Sequence, residues 1–371
     1  YEDLKNSWDD YSNDPPPKQP DLRASDPLIL IYTSGTTGLP KAAVITHIRC
    51  LGAGLVFAKL GDITQRDVIY TALPLYHSAG GMIGVGSTFT TGAKMVLRRK
   101  FSANQFIPDC QKYGCTVAQY IGEALRYLLT TPKSDADNNH KIRFFLGNGL
   151  RPDIWDEIVD RYKVNIFEFY GATEGNVTLL NPYGMAHAVG YMPPILQKLL
   201  PYSIVKFDVE NEEPMRDKDG FCERVNPGDI GEAIGQILPN DPVSEFRGYT
   251  NKEATQKKIL EGVFKKGDRF FRTGDLLRMD AQGFVYFMDR IGDTFRWKGE
   301  NVATTEVSEV INTVEGIKES IVYGVEIPGH DGRAGMASLV LEENFKMEAL
   351  TKALEELPTY ARPIFVRVCQ N

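Results

Sequence analysis

The chain has 371 residues, 42% hydrophobic and 25% charged, a globular composition long enough for two or three domains with cores of their own. Its 42 basic and 49 acidic side chains leave a formal charge of −7 with no long basic block, which argues against nucleic acid as the main partner. Five scattered cysteines (Cys50, Cys110, Cys115, Cys222, Cys369) without a CxxC pair argue against a disulfide frame or zinc site, and read as reduced structural thiols in a cytosol-facing protein. No run of 18 apolar residues is present to span a bilayer. The sequence opens on Tyr1 without a signal-peptide pattern, and we expect it to be a piece of a longer chain whose remainder could hold a membrane anchor.

In chain order, "DPPPKQP" (Asp14 to Pro20) reads as a stiff extended linker. "LILIYT", "DVIYTAL" and "KMVLRR" read as strands. Ser102 and Gln105 at capping-box spacing, with Gly114 as a stop, predict a helix over about 103–113. "TVAQY" returns to strand, "GEALRYLLT" to helix and "KIRFFLG" to strand. "RPDIWDEIVDRYK" places Ile154, Ile158, Val159 and Tyr162 on one helical face, with Pro152 at an early helical position, and "NIFEFYG" is again strand. This rhythm predicts an α/β domain with a largely parallel sheet, whose strand ends are where ligands sit. From about 201 to 290, short β-type runs split by "DKDG" and "DAQG" predict an all-β subdomain. The last stretch, with "ESIVYGVEI", "GMASLVLEE", "MEALTKALEEL" and "IFVRV", suffices for a small α+β domain.

Three glycine-bearing motifs fall at strand ends: "YTSGTTG", "FLGNG" and "FYGATEG". The first is not a Walker loop, because Gly35 to Gly38 is followed by Leu39-Pro40-Lys41. It can still cradle phosphate: Gly35 and Gly38 permit inward-facing N–H groups, Thr33, Ser34, Thr36 and Thr37 offer hydroxyls, and Lys41 adds a charge. The alternative is a Gly/Thr-rich turn ending a strand. His77 in "PLYHSAGG" stands after a strand, where a lone histidine is more often structural than catalytic. In "FYGATEG", Tyr170 could stack on a base while Thr173 and Glu174 serve phosphate and Mg²⁺; a plain strand and turn is the other reading. Asp275 in "TGD" could accept both hydroxyls of a ribose or be a routine turn residue. "DRIGDTFRWKG" gathers Arg290, Arg296 and Lys298 around glycines, either a solvated turn or a joint that swings cations toward an anionic ligand.

Taken in this order, the motifs resemble those of the adenylate-forming ligases. "YIGEALRYLL", "LGNGLRPDIW", "EFYGATEGN", "DTFRWKGENVATTEV" and "YARPIF" are similar, more narrowly, to the very-long-chain acyl-CoA synthetases, also called fatty acid transport proteins. The likeness runs from about residue 27 onward. It implies the adenylate-forming ligase fold: a large α/β domain with a β subdomain, plus a small mobile α+β C-terminal domain, truncated at both ends. The bounds it implies are 1–26 for a linker and partial N-terminal region, 27–290 for the large AMP-binding domain, about 201–290 for its β subdomain, and 291–371 for the C-terminal lid.

Carried onto matched positions, the resemblance implies that Thr33, Ser34, Gly35, Thr36, Thr37, Gly38 and Lys41 hold the ATP phosphates. Gly147, Asn148 and Gly149 would line the adenine and Tyr170 would stack on it. Thr173 would meet the α-phosphate and Glu174 would hold Mg²⁺. Asp275 would take the ribose hydroxyls with help from Arg290, and His77 would stand by the acyl and CoA tunnel. The hinge falls at Gly292 or Asp293. The implied reaction is ATP-dependent conversion of long- and very-long-chain fatty acids to acyl-CoA, with ATP, Mg²⁺ and coenzyme A, in a membrane-associated, cytosol-facing protein. The alternatives are a fatty acid transport or binding protein, and a catalytically incomplete nucleotide-binding fragment. The family's catalytic lysine is expected in a segment after "YARP", past Asn371.

Overall fold

The computed structural model describes residues 14–15, 17, 21–33, 41–122, 124–173, 175–238, 246, 248, 252–297, 300–327 and 332–369. Strands β1 (Pro27–Thr33) and β2 (Lys41–Thr46) form an antiparallel pair, with Leu30 opposite Val44 and Thr33 opposite Lys41. Alternation sets Ile31 inward with Ile45 against Met82, and leaves Leu28, Leu30 and Tyr32 exposed. The "LILIYT" strand therefore lies outside the parallel sheet suggested by the strand–loop–helix rhythm. The reason is length: a parallel crossover takes roughly a dozen residues or more, and the segment between β1 and β2 is shorter than that.

β2 runs directly into α1 (His47–Leu60), where the Thr46 side chain accepts from the Arg49 N–H at 3.4 Å. There follow β3 (Val68–Thr71), a π-helical stretch Ala79–Val85 that continues into α2 (Gly86–Thr91), β4 (Lys94–Leu97), α3 (Ala103–Tyr113), β5 (Val117–Ile121), α4 (Ala124–Leu129), β6 (Phe144–Asn148), α5 (Pro152–Tyr162), β7 (Asn165–Gly171) and β8 (Thr178–Asn181). The sheet order is β4-β3-β5-β6-β7-β8, parallel throughout except for β8. Neighbouring residues along each strand enter opposite cores. Tyr70, Ala118, Phe145 and Ile166 join α3 and α5 on one face; Ile69, Val117, Phe144 and Phe167 join α1 on the other.

Helix α3 has the predicted bounds and stops at Gly114 in the left-handed region, but its predicted capping box is absent. The Ser102 side chain makes no cap bond, and its carbonyl accepts from the Gln105 N–H at 3.1 Å instead. In α5, Pro152 stands in the first turn, and Ile154, Ile158 and Tyr162 are buried with Trp155.

The second sheet is built from β9 (Gly190–Tyr191), β10 (Tyr202–Asp208), β11 (Glu213–Pro214), β12 (Ile230–Gln236), β13 (Ile259–Glu261), β14 (Arg269–Met279) and β15 (Phe284–Arg290), with a short helix α6 (Lys252–Gln256) before β13. Its order is β11-β10-β12-β14-β15-β9, with β13 also on β14, all antiparallel. The remainder comprises β16 (Phe295–Trp297), β17 (Glu300–Val302), α7 (Thr304–Asn312), β18 (Ile317–Glu326), β19 (Arg333–Leu341), α8 (Met347–Leu354) and β20 (Phe365–Cys369). Val307, Ile311 and Leu350 of its helices pack on Val322, Ala337 and Leu339 of its sheet. All five cysteines are free, and among the described residues no helix is long and apolar enough to cross a membrane.

Candidate functional site

Parallel strands bring their carboxyl ends to one edge, and β3, β5, β6 and β7 do so here. Gly147 and Asn148 end β6, opposite Tyr120 and Ile121 of β5, and the Asn148 carbonyl accepts from the Gly122 N–H at 2.8 Å. Gly149 follows at φ +81°, with its Cα side facing Gly122 at a distance a side chain would crowd. A carboxylate beneath this turn fixes it. Glu168 of β7 is fully buried; its Oε1 accepts from the N–H groups of Gly149 and, at 3.1 Å, Leu150, and its Oε2 accepts from the Tyr120 hydroxyl. Burial pushes its pKa up to about 8, against the hydrogen bonds that favour the anion. Sequence reasoning passed over Glu168. The signal was available: it is the one charged residue in the apolar run "NIFEFYG".

Two residues further along β7, the Tyr170 hydroxyl donates to Asp275 Oδ2 at 2.5 Å, joining motifs 105 residues apart. Burial and the adjoining carboxylate hold this phenol far above its ordinary range, so it remains a donor. Asp275 lies on β14 opposite Arg290 of β15, whose Nε is 3.7 Å from Oδ1. The register of β12 and β14 shifts at this point. Gly274 takes φ +81° to absorb the extra residues, a conformation that costs a non-glycine residue roughly 1 kcal/mol or more. Buried Glu232 accepts from the Gly274 N–H at 3.2 Å and pairs with Arg272 at 2.9 Å; the Thr273 hydroxyl donates to the Ala233 carbonyl at 2.7 Å and accepts from the Asp275 N–H at 3.1 Å. "TGD" is thus a bulge held from below, with its aspartate facing the edge of the other sheet.

Past β3, His77 is half-buried, and its Nδ1 accepts from the Ala79 N–H at 3.2 Å, which assigns the ring proton to Nε2. Burial lowers its pKa, so the ring is neutral. The next residue, Ser78, shares a 3.2 Å hydrogen bond with the Thr173 hydroxyl, so the "PLYHS" and "GATEG" segments meet. Arg49 of α1 donates to the carbonyls of Gly175 and, at 3.5 Å, Ala172, clasping the same turn. Neither Ser78 nor Arg49 carried a local signal in the sequence.

The structure therefore gathers His77, Thr173, Gly147, Asn148, Gly149, Tyr170, Asp275 and Arg290 from five segments, through direct contacts and contacts among their neighbours. Ser34, Gly35, Thr36, Thr37, Gly38 and Glu174 lie outside the described residues. Thr33 and Lys41 are described as the facing end pair of β1 and β2 by their backbone alone. Next to Arg290, buried Asp289 accepts from the Thr294 hydroxyl at 2.9 Å and from the Thr304 N–H at 2.8 Å. The turn holding Gly292 and Asp293 is thus bracketed by one carboxylate. Among the described residues no cluster of three metal-ligating side chains occurs.

A model of the AMP-binding enzyme family matches residues 1–218. The chain is 48% identical over 367 residues to Long-chain fatty acid transport protein 2 of Rattus norvegicus, across 97% of this chain and 58% of that protein. It is 47% identical over 355 residues to Long-chain fatty acid transport protein 3 of Homo sapiens, across 94% of this chain and 51% of that one. It thus spans little more than half the length of these relatives. Among solved structures it is similar to ATP-bound MatB from Rhodopseudomonas palustris, with TM-score 0.77 and 26% identity over 95% of this chain and 66% of that one. It is likewise similar to o-succinylbenzoate CoA synthetase (MenE) from Bacillus subtilis in complex with its acyl-adenylate intermediate, with TM-score 0.74 and 25% identity over 94% of this chain and 66% of that one.

Proposed function

The chain belongs to the AMP-binding enzyme family and has the adenylate-forming ligase fold, and from that premise we propose that its protein activates long- and very-long-chain fatty acids to acyl-CoA through an acyl-adenylate. The observation that carries this reading is the Tyr170–Asp275 hydrogen bond at the carboxyl edge of the parallel sheet. It sets a ring suited to an adenine face beside a carboxylate suited to ribose hydroxyls. The relatives' names supply the acyl class, and the MatB and MenE titles supply ATP, Mg²⁺ and the adenylate.

In the proposed reaction a carboxylate oxygen of the fatty acid attacks the α-phosphorus of ATP, and the bond to pyrophosphate breaks. The thiolate of coenzyme A then attacks the acyl carbonyl, and the bond to AMP breaks. Two anions must meet in the first step, so positioning and positive charge matter more than a protein nucleophile. Gly147, Asn148 and Gly149 line the base, Thr173 meets the α-phosphate, Arg290 assists Asp275, and neutral His77 faces the acyl and CoA path. The loop from Thr33 to Lys41 takes the outer phosphates. Mg²⁺, arriving with ATP and held by Glu174, would neutralise phosphate charge. The large unit over 27–290, with its β subdomain from about 201, and the lid over 291–371 turn about Gly292 or Asp293 between the two steps. The setting we propose is a cytosol-facing membrane surface.

The test is calorimetry with non-hydrolysable acyl-adenylate mimics of graded chain length. We expect affinity to rise by up to about 0.8 kcal/mol per buried methylene and then level off. Absence of binding by folded protein would overturn the reading. The relatives' names also favour a transport role. Binding of the mimics, with no acyl-CoA formed from fatty acid, ATP and coenzyme A by the full-length protein that carries the lysine expected past Asn371, would favour that role instead.

A further inference from the structure

Between β9 and β10 the chain runs "MPPILQKLLPY", and this segment is ordered yet turned outward. Leu196 N–H bonds to the Pro193 carbonyl at 2.9 Å, Leu199 N–H to the Leu196 carbonyl at 2.8 Å, and Leu200 N–H to the same carbonyl at 3.1 Å. Gln197 reaches inward, its Nε2 lying 3.1 Å from the sulfur of buried Met279. Met192 is buried before the loop and Leu200 packs on the same core after it. The loop is thus pinned at both ends and in the middle. Even so, it leaves Ile195 93% exposed, Leu199 80% and Leu196 45%. At its foot Tyr183, itself exposed, stands edge-on to Tyr191 at 5.2 Å and near Phe284 at 6.3 Å.

Charge singles out the same region. Residues 175–207 contain no aspartate or glutamate, in a chain that carries 49 of them, and the charged residue on the loop itself is exposed Lys198. Of the neighbouring turns, the one that bonds the Met279 carbonyl carries Asp229, which is engaged with the Asn226 N–H and side-chain amide. The Asp280 to Gly283 turn, against Met192 and Pro194, brings a further carboxylate. It is engaged with the N–H groups of Gln282 and Phe284 and the Tyr286 hydroxyl. Aliphatic tips beside a lysine and a tyrosine, with acidic groups withheld, suit an anionic bilayer interface: the tips enter the acyl boundary, while the ammonium and phenol stay among headgroups. They do not suit an acidic protein face, which would gain little from three bare aliphatic tips.

We propose that the 193–200 loop is a membrane-contact surface that docks this protein on anionic phospholipid by inserting Ile195 and Leu199 beside Lys198. It is separate from the adenylate site. Phe284, at the start of β15, pairs with Tyr191 near the loop, whereas Arg290, at its end, pairs with Asp275, about 20 Å away at a strand's rise per residue.

The experiment is vesicle co-sedimentation of the 371-residue chain, using phosphatidylcholine alone and an equimolar mixture with phosphatidylserine. We expect binding to the mixture. It should fall roughly tenfold or more in the Ile195→Ser/Leu199→Ser double variant and roughly fivefold in Lys198→Gln, while Phe89→Ser, at an exposed residue elsewhere, leaves it unchanged. Thermal melts check that each variant is folded. The proposal is overturned by absence of binding to the mixture, by equal binding to both compositions, by a double variant that binds like the unaltered chain, or by an equal loss in Phe89→Ser. Sedimentation velocity supplies the remaining outcome: self-association lost in the double variant, with vesicle binding intact, would assign the loop to a second copy of the chain.

Discussion

Glu168 and Glu232 are both buried, and each grips the backbone N–H of a glycine turn at the candidate site, Gly149 in one case and Gly274 in the other. Their surroundings differ. Glu232 has the Arg272 guanidinium against it, while the donors on Glu168 are a phenol and two N–H groups. Burial lifts both carboxyls; at Glu232 the guanidinium opposes the lift, whereas at Glu168 dipoles alone oppose it and the pKa reaches about 8. A turn can thus be held from below by charge or by dipoles. The first arrangement is vulnerable to losing its partner, the second to a change of pH.

The largest expected effect breaks the first arrangement. Arg272→Met strands Glu232 in the core and should cost about 3–5 kcal/mol by urea denaturation; a loss under about 1 kcal/mol would mean that the ion pair is dispensable. The second arrangement responds to pH. A carboxyl whose folded pKa is raised from the ordinary 4.5 to about 8 contributes stability that is complete below 4.5 and lost as pH rises through 8. Glu168→Gln retains the oxygen that faces Gly149 and Leu150 but cannot ionise. Its unfolding free energy relative to the unaltered chain, measured by urea denaturation, should therefore climb between about pH 4.5 and 8 and then flatten, a gain on the order of a few kcal/mol. A difference independent of pH would show that Glu168 remains an anion throughout. The smallest effect concerns the bond between the two turns. Tyr170→Phe should cost about 1 kcal/mol of stability and weaken binding of an acyl-adenylate mimic less than tenfold. A far larger loss of affinity at unchanged stability would make the phenol itself part of the ligand contact.

The sequence by itself determined what short-range physics controls. Short runs of apolar and β-branched residues set the strands of the parallel sheet, Pro152 and Gly114 set helix ends, and the glycine motifs after β6 and β7 were placed at one sheet edge. Each follows from a period or a turn within about ten residues. Tertiary structure decided the rest. It closed β1 on β2 as a hairpin outside the sheet, and left Ser102 uncapped because its carbonyl took over the turn. It also brought Tyr170 to Asp275 across 105 residues and set Glu168 under Gly149. Those contacts depend on sheet order and on a bulge that re-aims one strand, and no local pattern encodes where a distant carboxylate will lie.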